Sequence, residues 1–412
     1  MSEKSCTGDE IFACTTARAT PRADNGRTVA AWSAVLSLSL GVFALVTAEF
    51  LPASLLTPVA ADLGISDGTA GQAVTATALV AALAGPLVVI GTGKVDRRLV
   101  VWGLSLLLVL SNLLAAVAAT IWVLIAARVL LGIALGGVWS LAAALALRLV
   151  PARLLPRAMM IIFTGVSAAT VCAPALGAYL GDIMGWRATF LAAAAIGIAA
   201  LLAQLATLPR LPPGDVPSLA TFGLLLRRPG IRIGLLTVMF VISGHFAGFT
   251  YVRPFLEQVP RFDVRMISMV LLAFGIGGFF GNLAGGFIAE RSASIAVALA
   301  AILLSIMAFL LLFFGSAASL AFAATATWGF AFGALPVSFQ TWNTQAAPDH
   351  AETAGALLVT TFQIAISLGA VAGGLLVDGL GAPGAIAYSA LAVLAGGVIM
   401  LAIGRRSERR PG

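Results

Sequence analysis

From Ala30 to Gly404 the sequence returns repeatedly to apolar runs of roughly 20 residues, the length a helix needs to cross a ~30 Å hydrocarbon core. Hydropathy and helix breakers place twelve such runs, at 30–55, 69–92, 99–118, 121–146, 158–182, 188–208, 231–256, 266–289, 294–314, 318–341, 353–377 and 381–404. A soluble fold has no core large enough to hide them. The chain is 60% apolar and 10% charged, where soluble domains carry about 45–50% and about 25%. The runs are too long for barrel strands, so the chain reads as an all-α polytopic membrane protein with twelve transmembrane helices.

The longest polar connection, "LPRLPPGDVPSLATFGLLLRRPG", falls between the sixth and seventh runs. It divides the chain into a disordered tail (1–28), a first six-helix half (29–208), a linker (209–230), a second six-helix half (231–404) and a basic tail (405–412). Lys and Arg sort by side. Lys94, Arg97, Arg98, Arg148, Arg153, Arg157, Arg210, Arg227, Arg228, Arg232, Arg291 and both tails fall on one face, against Arg187, Arg261 and Arg265 on the other. By the positive-inside rule both termini are cytoplasmic. The net charge of +7 therefore faces anionic headgroups, and no nucleic-acid partner is expected.

Function classes narrow by what the chain lacks. Cys6 and Cys14 lie in the tail and Cys172 in an apolar run, so neither a disulfide framework nor metal spacing is expected. With two histidines and no Ser/His/Asp, HExxH or paired-carboxylate pattern, the chain is not expected to be an enzyme or to hold a cofactor. The glycine-rich "FGIGGFFGNLAGG" and "LGAVAGG" follow no strand and precede no Gly-Lys-Ser, so they are helix-packing faces and not phosphate cradles. Without a nucleotide site, any work such a chain does across a membrane draws on an ion gradient.

Two features point to transport. The loops after the second and eighth runs carry Asp96-Arg97 and Glu290-Arg291 at corresponding places, as in a parallel repeat. Inside the first run stands Glu49, the only acid well within a span of the first half. A charge there is expensive, and such residues mark ion or proton paths. Either Glu49 exchanges a proton during transport, or it is a permanently paired packing residue. Counting 1.5 Å per residue puts Arg128 at a similar depth, as a pairing partner or as a structural ligand of backbone carbonyls.

The loop Thr92–Arg97, the better-kept Gly286…Glu290-Arg291, "RVLLGIALGG" and "GVSAATVCAPALGAYLG" resemble the motifs of the major facilitator superfamily in its drug:proton antiporter branch. Ala173 and Ala178 stand where that antiporter motif has glycines, around Pro174. "EFLPASLLTPVAADLGIS", "RLVPARLLPRAM", "GDIMGWRATF" and "FTYVRPFLE" are similar to bacterial exporters of purine ribonucleosides within that branch. The resemblance implies the major facilitator fold in the inner membrane. It also implies a monomer that exports inosine, guanosine and their analogues against protons by alternating access. Export of drugs such as chloramphenicol, or of sugars, stays open, as does a transport-inactive sensor.

A nucleoside needs flat aromatic surfaces and amide or hydroxyl partners. Candidates are His245, Asn282 and Gln363, with Trp139, Phe246, Phe249 and Trp328 for stacking. For each, helix packing is the alternative. Candidates for a conformational gate are Asp96, Arg97, Glu290, Arg291, Pro174, Tyr251 and Arg253. Asp182 and Asp378 read as caps at span ends, and Trp342, Asn343 and Gln345 as interfacial anchors.

Overall fold

The computed structural model describes residues 31–92, 94–151, 154–212 and 223–404. The two tails, with Cys6 and Cys14, and Arg153 and the centre of the linker lie outside them. Fourteen α-helices are described. The first half contains α1 (Trp32–Ser54), α2 (Leu56–Leu63), α3 (Asp67–Gly91), α4 (Arg97–Ala116), α5 (Ile121–Leu149), α6 (Leu155–Ile183) and α7 (Trp186–Thr207). The second contains α8 (Pro229–Thr250), α9 (Val252–Gln258), α10 (Val264–Ala289), α11 (Ala293–Phe314), α12 (Ala318–Ala346), α13 (Ala351–Leu380) and α14 (Ala382–Ile399), the last continuing into a π turn, Met400–Gly404. Twelve of these are long and apolar enough to cross a membrane. Below, the face where α1 begins and the last span ends is the termini face, and the opposite one the distal face.

Local chemistry sets the ends. Asp96, Thr120, Asp263 and Ser292 cap the starts of α4, α5, α10 and α11 by accepting backbone N–H bonds. Gly185 and Gly381, at φ 82° and 77°, turn the chain between the last two spans of each half. Exposed Leu83, Leu87, Leu176, Phe280, Phe287 and Phe313 face outward, as a lipid boundary requires.

Prolines set the ends of the seventh and first spans, and divide the seventh. The expected run 231–256 breaks at Tyr251, between α8 and α9, because Pro254 has no N–H for the Thr250 carbonyl. The run 30–55 likewise ends at Leu55, and Pro58 leaves the Ser54 carbonyl without a helical donor.

The two halves repeat one packing scheme. In the first, Gly132 and Gly136 of α5 press onto the Thr77 and Ala81 carbonyls of α3. In the second, Gly329 and Gly333 of α12 press onto the Phe274 and Gly278 carbonyls of α10. Gly165 of α6 against Ser39 of α1 is matched by Gly369 of α13 against Ser243 of α8. A Cβ at any of these would collide with backbone, so the glycines set the approach of the helices.

Between halves, α3 packs on α13 and α6 on α10. The second seam crosses where Gly275 meets the backbone of Thr170 and Val171. Pro174 is buried inside α6 and leaves the Thr170 carbonyl unpaired at this crossing.

Candidate functional site

Three groups of residues surround the axis between the halves: a distal seam, a cavity beneath it, and clasps on the termini face.

The distal seam is where the polar contacts between halves concentrate. Tyr251, at the break between α8 and α9, is fully buried. Its hydroxyl donates to the Ala370 carbonyl at 2.9 Å and lies 3.4 Å from that of Gly68. The ring fits a slot walled by Gly71 of α3 and by Gly373 and Gly374 of α13. A Cβ on any of the three would strike it. Beside it, Arg253 pairs through Nε with Glu257 at 2.8 Å and donates through Nη1 to the Ser54 carbonyl that Pro58 has freed. Glu257 in turn accepts from the Thr57 hydroxyl at 2.7 Å. Asp378, read from sequence as a cap, does cap a helix, but one in the other half. It accepts from Ser66 Oγ at 2.8 Å and from the Gly68 N–H at 3.0 Å, at the start of α3.

Beneath the seam lies a cavity of about 10 Å³, room for roughly one water. Both halves wall it: Glu49 and Phe50 from α1, Thr77 from α3, Phe249 and Thr250 from α8, and Ile366 from α13. Glu49 therefore stands at the interface of the halves, not inside one bundle. Among the described residues it makes no ion pair, and of the two roles open to Arg128 from sequence, this conformation shows the ligand of a backbone carbonyl and not the bridge to Glu49. Arg128 is 0% exposed. It donates through Nη1 to the Ala48 carbonyl at 3.1 Å and lies 4.8 Å from the Phe190 ring centroid. The reason is Pro52, which denies Ala48 its helical donor, so a bare carbonyl next to Glu49 takes the guanidinium. The Nε and Nη2 of Arg128 have no partner.

Phe249 joins the cavity to an aromatic cluster. It meets Phe50 edge-on across the halves at 5.7 Å and stacks on Phe274 at 4.9 Å. His245 fills the cluster's centre. It is fully buried, stacked 3.6 Å from Phe332, and its Nδ1 accepts from Trp328 Nε1 at 3.0 Å. His245 and Trp328 thus stand behind the cavity wall, while Phe246 and Phe249 form it. Trp328→Phe removes the donor and strands a buried acceptor, a cost of about 1–3 kcal/mol. The expected outcome is a thermal-unfolding midpoint in detergent lowered by a few degrees. An unchanged midpoint would mean the bond contributes nothing to packing.

The other candidates scatter. Gln363 is buried on α13, one turn from Ile366, with no partner for its Oε1. Asn282 is exposed. It lies seven residues beyond Gly275, on the same face of α10, where the helix continues past the α6 crossing. Trp139 is half-buried, 6.1 Å from Phe163. Trp342 and Asn343 are not interfacial anchors. Both are buried, Trp342 donating to the Gly230 carbonyl at 3.0 Å, because α12 runs one turn further than hydropathy marks.

On the termini face the repeated acid–arginine pairs behave differently. Asp96 accepts from the backbone N–H groups of Arg98 and Leu211, at 2.9 and 3.1 Å, and the Arg97 N–H donates to the Leu211 carbonyl at 2.8 Å. The start of the linker is thereby clasped to the first half. Burial pushes the Asp96 carboxyl up, but those donors with Arg98 and Arg210 more than offset it and hold it below the usual carboxylate range. Glu290 and Arg291 are exposed, Arg291 resting on Phe287 at 4.3 Å. The other end of the linker is clasped elsewhere, by Arg228 donating to both Asp349 oxygens at 2.6 Å. These bonds hold the Asp349 carboxyl down to about 2, so the clasp stays ionised at any physiological pH.

Of the sequence candidates, the structure places Glu49, Tyr251 and Arg253 at the interface of the halves, together with Thr250, Glu257 and the glycine slot, which the sequence reading did not single out. The signal for the slot was present in "DGTAGQ" and "VAGG", whose glycines meet only after folding.

Comparison with known proteins agrees with this architecture. Residues 38–370 match the family model described as Major Facilitator Superfamily. Over 370 residues the chain is 40% identical to proteins named purine ribonucleoside efflux pump NepI from Salmonella typhimurium (strain LT2) and Salmonella paratyphi C (strain RKS4594). The match covers 90% of this chain and 92% of each relative. Among solved structures, a bacterial homolog of the human lysosomal transporter Spinster superposes with a TM-score of 0.71 at 18% identity, covering 90% of this chain and 95% of the other. The human organic anion transporter MFSD10 gives 0.64 at 17%, covering 90% and 98%.

Proposed function

This chain belongs to the major facilitator superfamily, and from that premise we propose that it exports purine ribonucleosides across the inner membrane in exchange for protons, by alternating access. The observation that carries the substrate is the 40% identity, over nine-tenths of the chain, to efflux pumps named for purine ribonucleosides. Support for the mechanism comes from the interior. Glu49 stands in the wall of a cavity shared by both halves, where a rocking motion changes what it faces.

In this reading both termini are cytoplasmic and the distal face is periplasmic. Tyr251, Arg253 with Glu257, and Asp378 then close the periplasmic side, and the protein rests closed to the outside. Glu49 carries the proton. Arg128, fixed at Ala48 next door, offers its two unpartnered nitrogens to the carboxylate when the halves rearrange. Phe246 and Phe249 provide stacking surfaces and Gln363 an amide for the edge of the base. His245 and Trp328 keep that wall rigid, with Asn282 and Trp139 further from the axis. The protein acts as a monomer in the bilayer, and Asp96 and Arg97 release or hold the linker as the cytoplasmic side opens and shuts.

Counterflow of radiolabelled inosine in proteoliposomes, with and without a pH gradient, tests this. The expected result is saturable exchange that becomes concentrative when the gradient is imposed. Flux of a sugar or a phenicol with none of inosine would reassign the substrate. No flux of any solute would favour a sensor.

A further inference from the structure

Hydroxyls inside the spans usually turn back on their own helix. Thr77, Thr237, Thr325 and Thr361 donate to the carbonyl four residues earlier at 3.0, 2.8, 2.8 and 2.8 Å. Thr250 does not. It lines the cavity between the halves and is 1% exposed, yet its Oγ1 has no hydrogen-bond partner. A buried hydroxyl left unpaired costs stability, so its retention calls for a partner in another state of the protein. Thr250 is the last residue of α8, just before the Tyr251 break, and its side chain lies beside the aromatic wall.

The polar inventory of the cavity is short. Thr77 is committed to Ala73, which leaves the Glu49 carboxylate on the first half and the Thr250 hydroxyl on the second. An ionised carboxylate only accepts, whereas a hydroxyl both donates and accepts. Two neighbouring hydroxyls on a sugar ring meet that pair in full, one donating to Glu49 and the other exchanging a bond with Thr250. The rest of the wall is aromatic or aliphatic and suits a flat base. In the conformation described, the cavity holds only about one water, so the bound state is one in which the walls of the two halves stand further apart.

We propose that Thr250 is the residue that reads the sugar. Its hydroxyl takes one member of the ribose 2′,3′-diol while Glu49 takes the other, and the transporter thereby selects ribonucleosides over their deoxy counterparts. This rests on the ribonucleoside reading above. A site built to bond a hydroxyl leaves its own polar groups unpaired when an analogue lacks it, which gives discrimination of about tenfold or more.

The test begins on the unaltered protein, with inhibition of inosine counterflow by inosine, 2′-deoxyinosine and 3′-deoxyinosine. At least one deoxy compound is expected to inhibit about tenfold more weakly. Equal potency of all three overturns the proposal whatever any variant does. Thr250→Val, which keeps the shape and removes the hydroxyl, is then expected to shrink the inosine-to-deoxyinosine ratio toward one, and Thr250→Ser to restore it. A Val variant that transports inosine with the ratio unchanged overturns the assignment to Thr250. Absence of inosine counterflow in the unaltered protein is a different failure and overturns the substrate reading.

Discussion

Proteoliposomes containing the Glu49→Gln variant are expected to exchange substrate across the membrane, at reduced affinity because an amide oxygen accepts the ribose hydroxyl more weakly than a carboxylate, but to lose all accumulation driven by a pH gradient. Each proton exchanged across a one-unit gradient is worth about 1.4 kcal/mol, a tenfold concentration ratio. A coupled transporter at one proton per substrate therefore approaches about tenfold accumulation, and an uncoupled one stays near unity. The amide keeps the size of the carboxyl and cannot ionise. Because Glu49 lines a cavity between the halves and makes no ion pair with any described residue, the change removes no bridge seen in this structure. Failure of the protein to insert is not expected. Undiminished gradient-driven accumulation by the Gln variant would sink the assignment of Glu49 as the proton carrier. Arg128→Met gives the contrast. It strips the Ala48 carbonyl of its donor and leaves Glu49 in place, so it is expected to lower thermal stability as well as transport.

The second large effect is expected at Gly71. A Cβ there overlaps the Tyr251 hydroxyl, and Tyr251 cannot retreat, because Gly373 and Gly374 press its ring from the other side. Gly71→Val forces a choice between overpacking, at about 1–3 kcal/mol, and a seam that stays parted. A bias of 1–3 kcal/mol on a two-state equilibrium is a shift of about 5–150-fold in population. Inosine counterflow is expected to fall by a comparable factor. Labelling from the distal side checks the direction. With the native cysteines replaced and Phe50→Cys introduced beneath the seam, an impermeant maleimide is expected to react faster in the Gly71→Val protein. Unchanged labelling and unchanged counterflow together would show that the slot does not close the distal face.

How far each feature could be read in advance depends on the range of the physics behind it. The spans were legible because hydrocarbon solvation acts on every residue of a run, and the structure shows twelve at the expected places, with ends shifted by up to about six residues where Pro254 breaks the seventh and the tenth runs on. The repeat was legible through Asp96-Arg97 and Glu290-Arg291, although among the described residues only the first pair engages the linker. Depth along a helix was also within reach, and Glu49 and Arg128 do lie near one another in height. Azimuth was not. A guanidinium at the right level chose the Ala48 carbonyl, because Pro52 had removed that carbonyl's partner and a span count cannot weigh one acceptor against another. Asp378 was identified as a cap, but the capped helix belongs to the other half and is 310 residues away. The Tyr251 slot is assembled from α3 and α13, so no local pattern announces it. Asn282, prominent as a lone amide in an apolar run, turned out to be exposed, while the quieter Thr250 lines the cavity.

The freed carbonyls of α1 have one more consequence. Pro52 and Pro58 each deny a backbone oxygen its helical donor, and an arginine from elsewhere occupies each: Arg128 at Ala48 and Arg253 at Ser54. The first contact lies within one half and persists however the halves move. The second spans them and is broken when they part, leaving a bare oxygen in a poorly hydrated place. An alanine at position 58 would let the helix reclaim Ser54 for itself, and separation would then strand nothing. In the proposed cycle, the hold of the distal seam is thus set as much by an imino acid on the receiving helix as by the arginine that reaches across. In an evolving lineage the two positions would be expected to drift together.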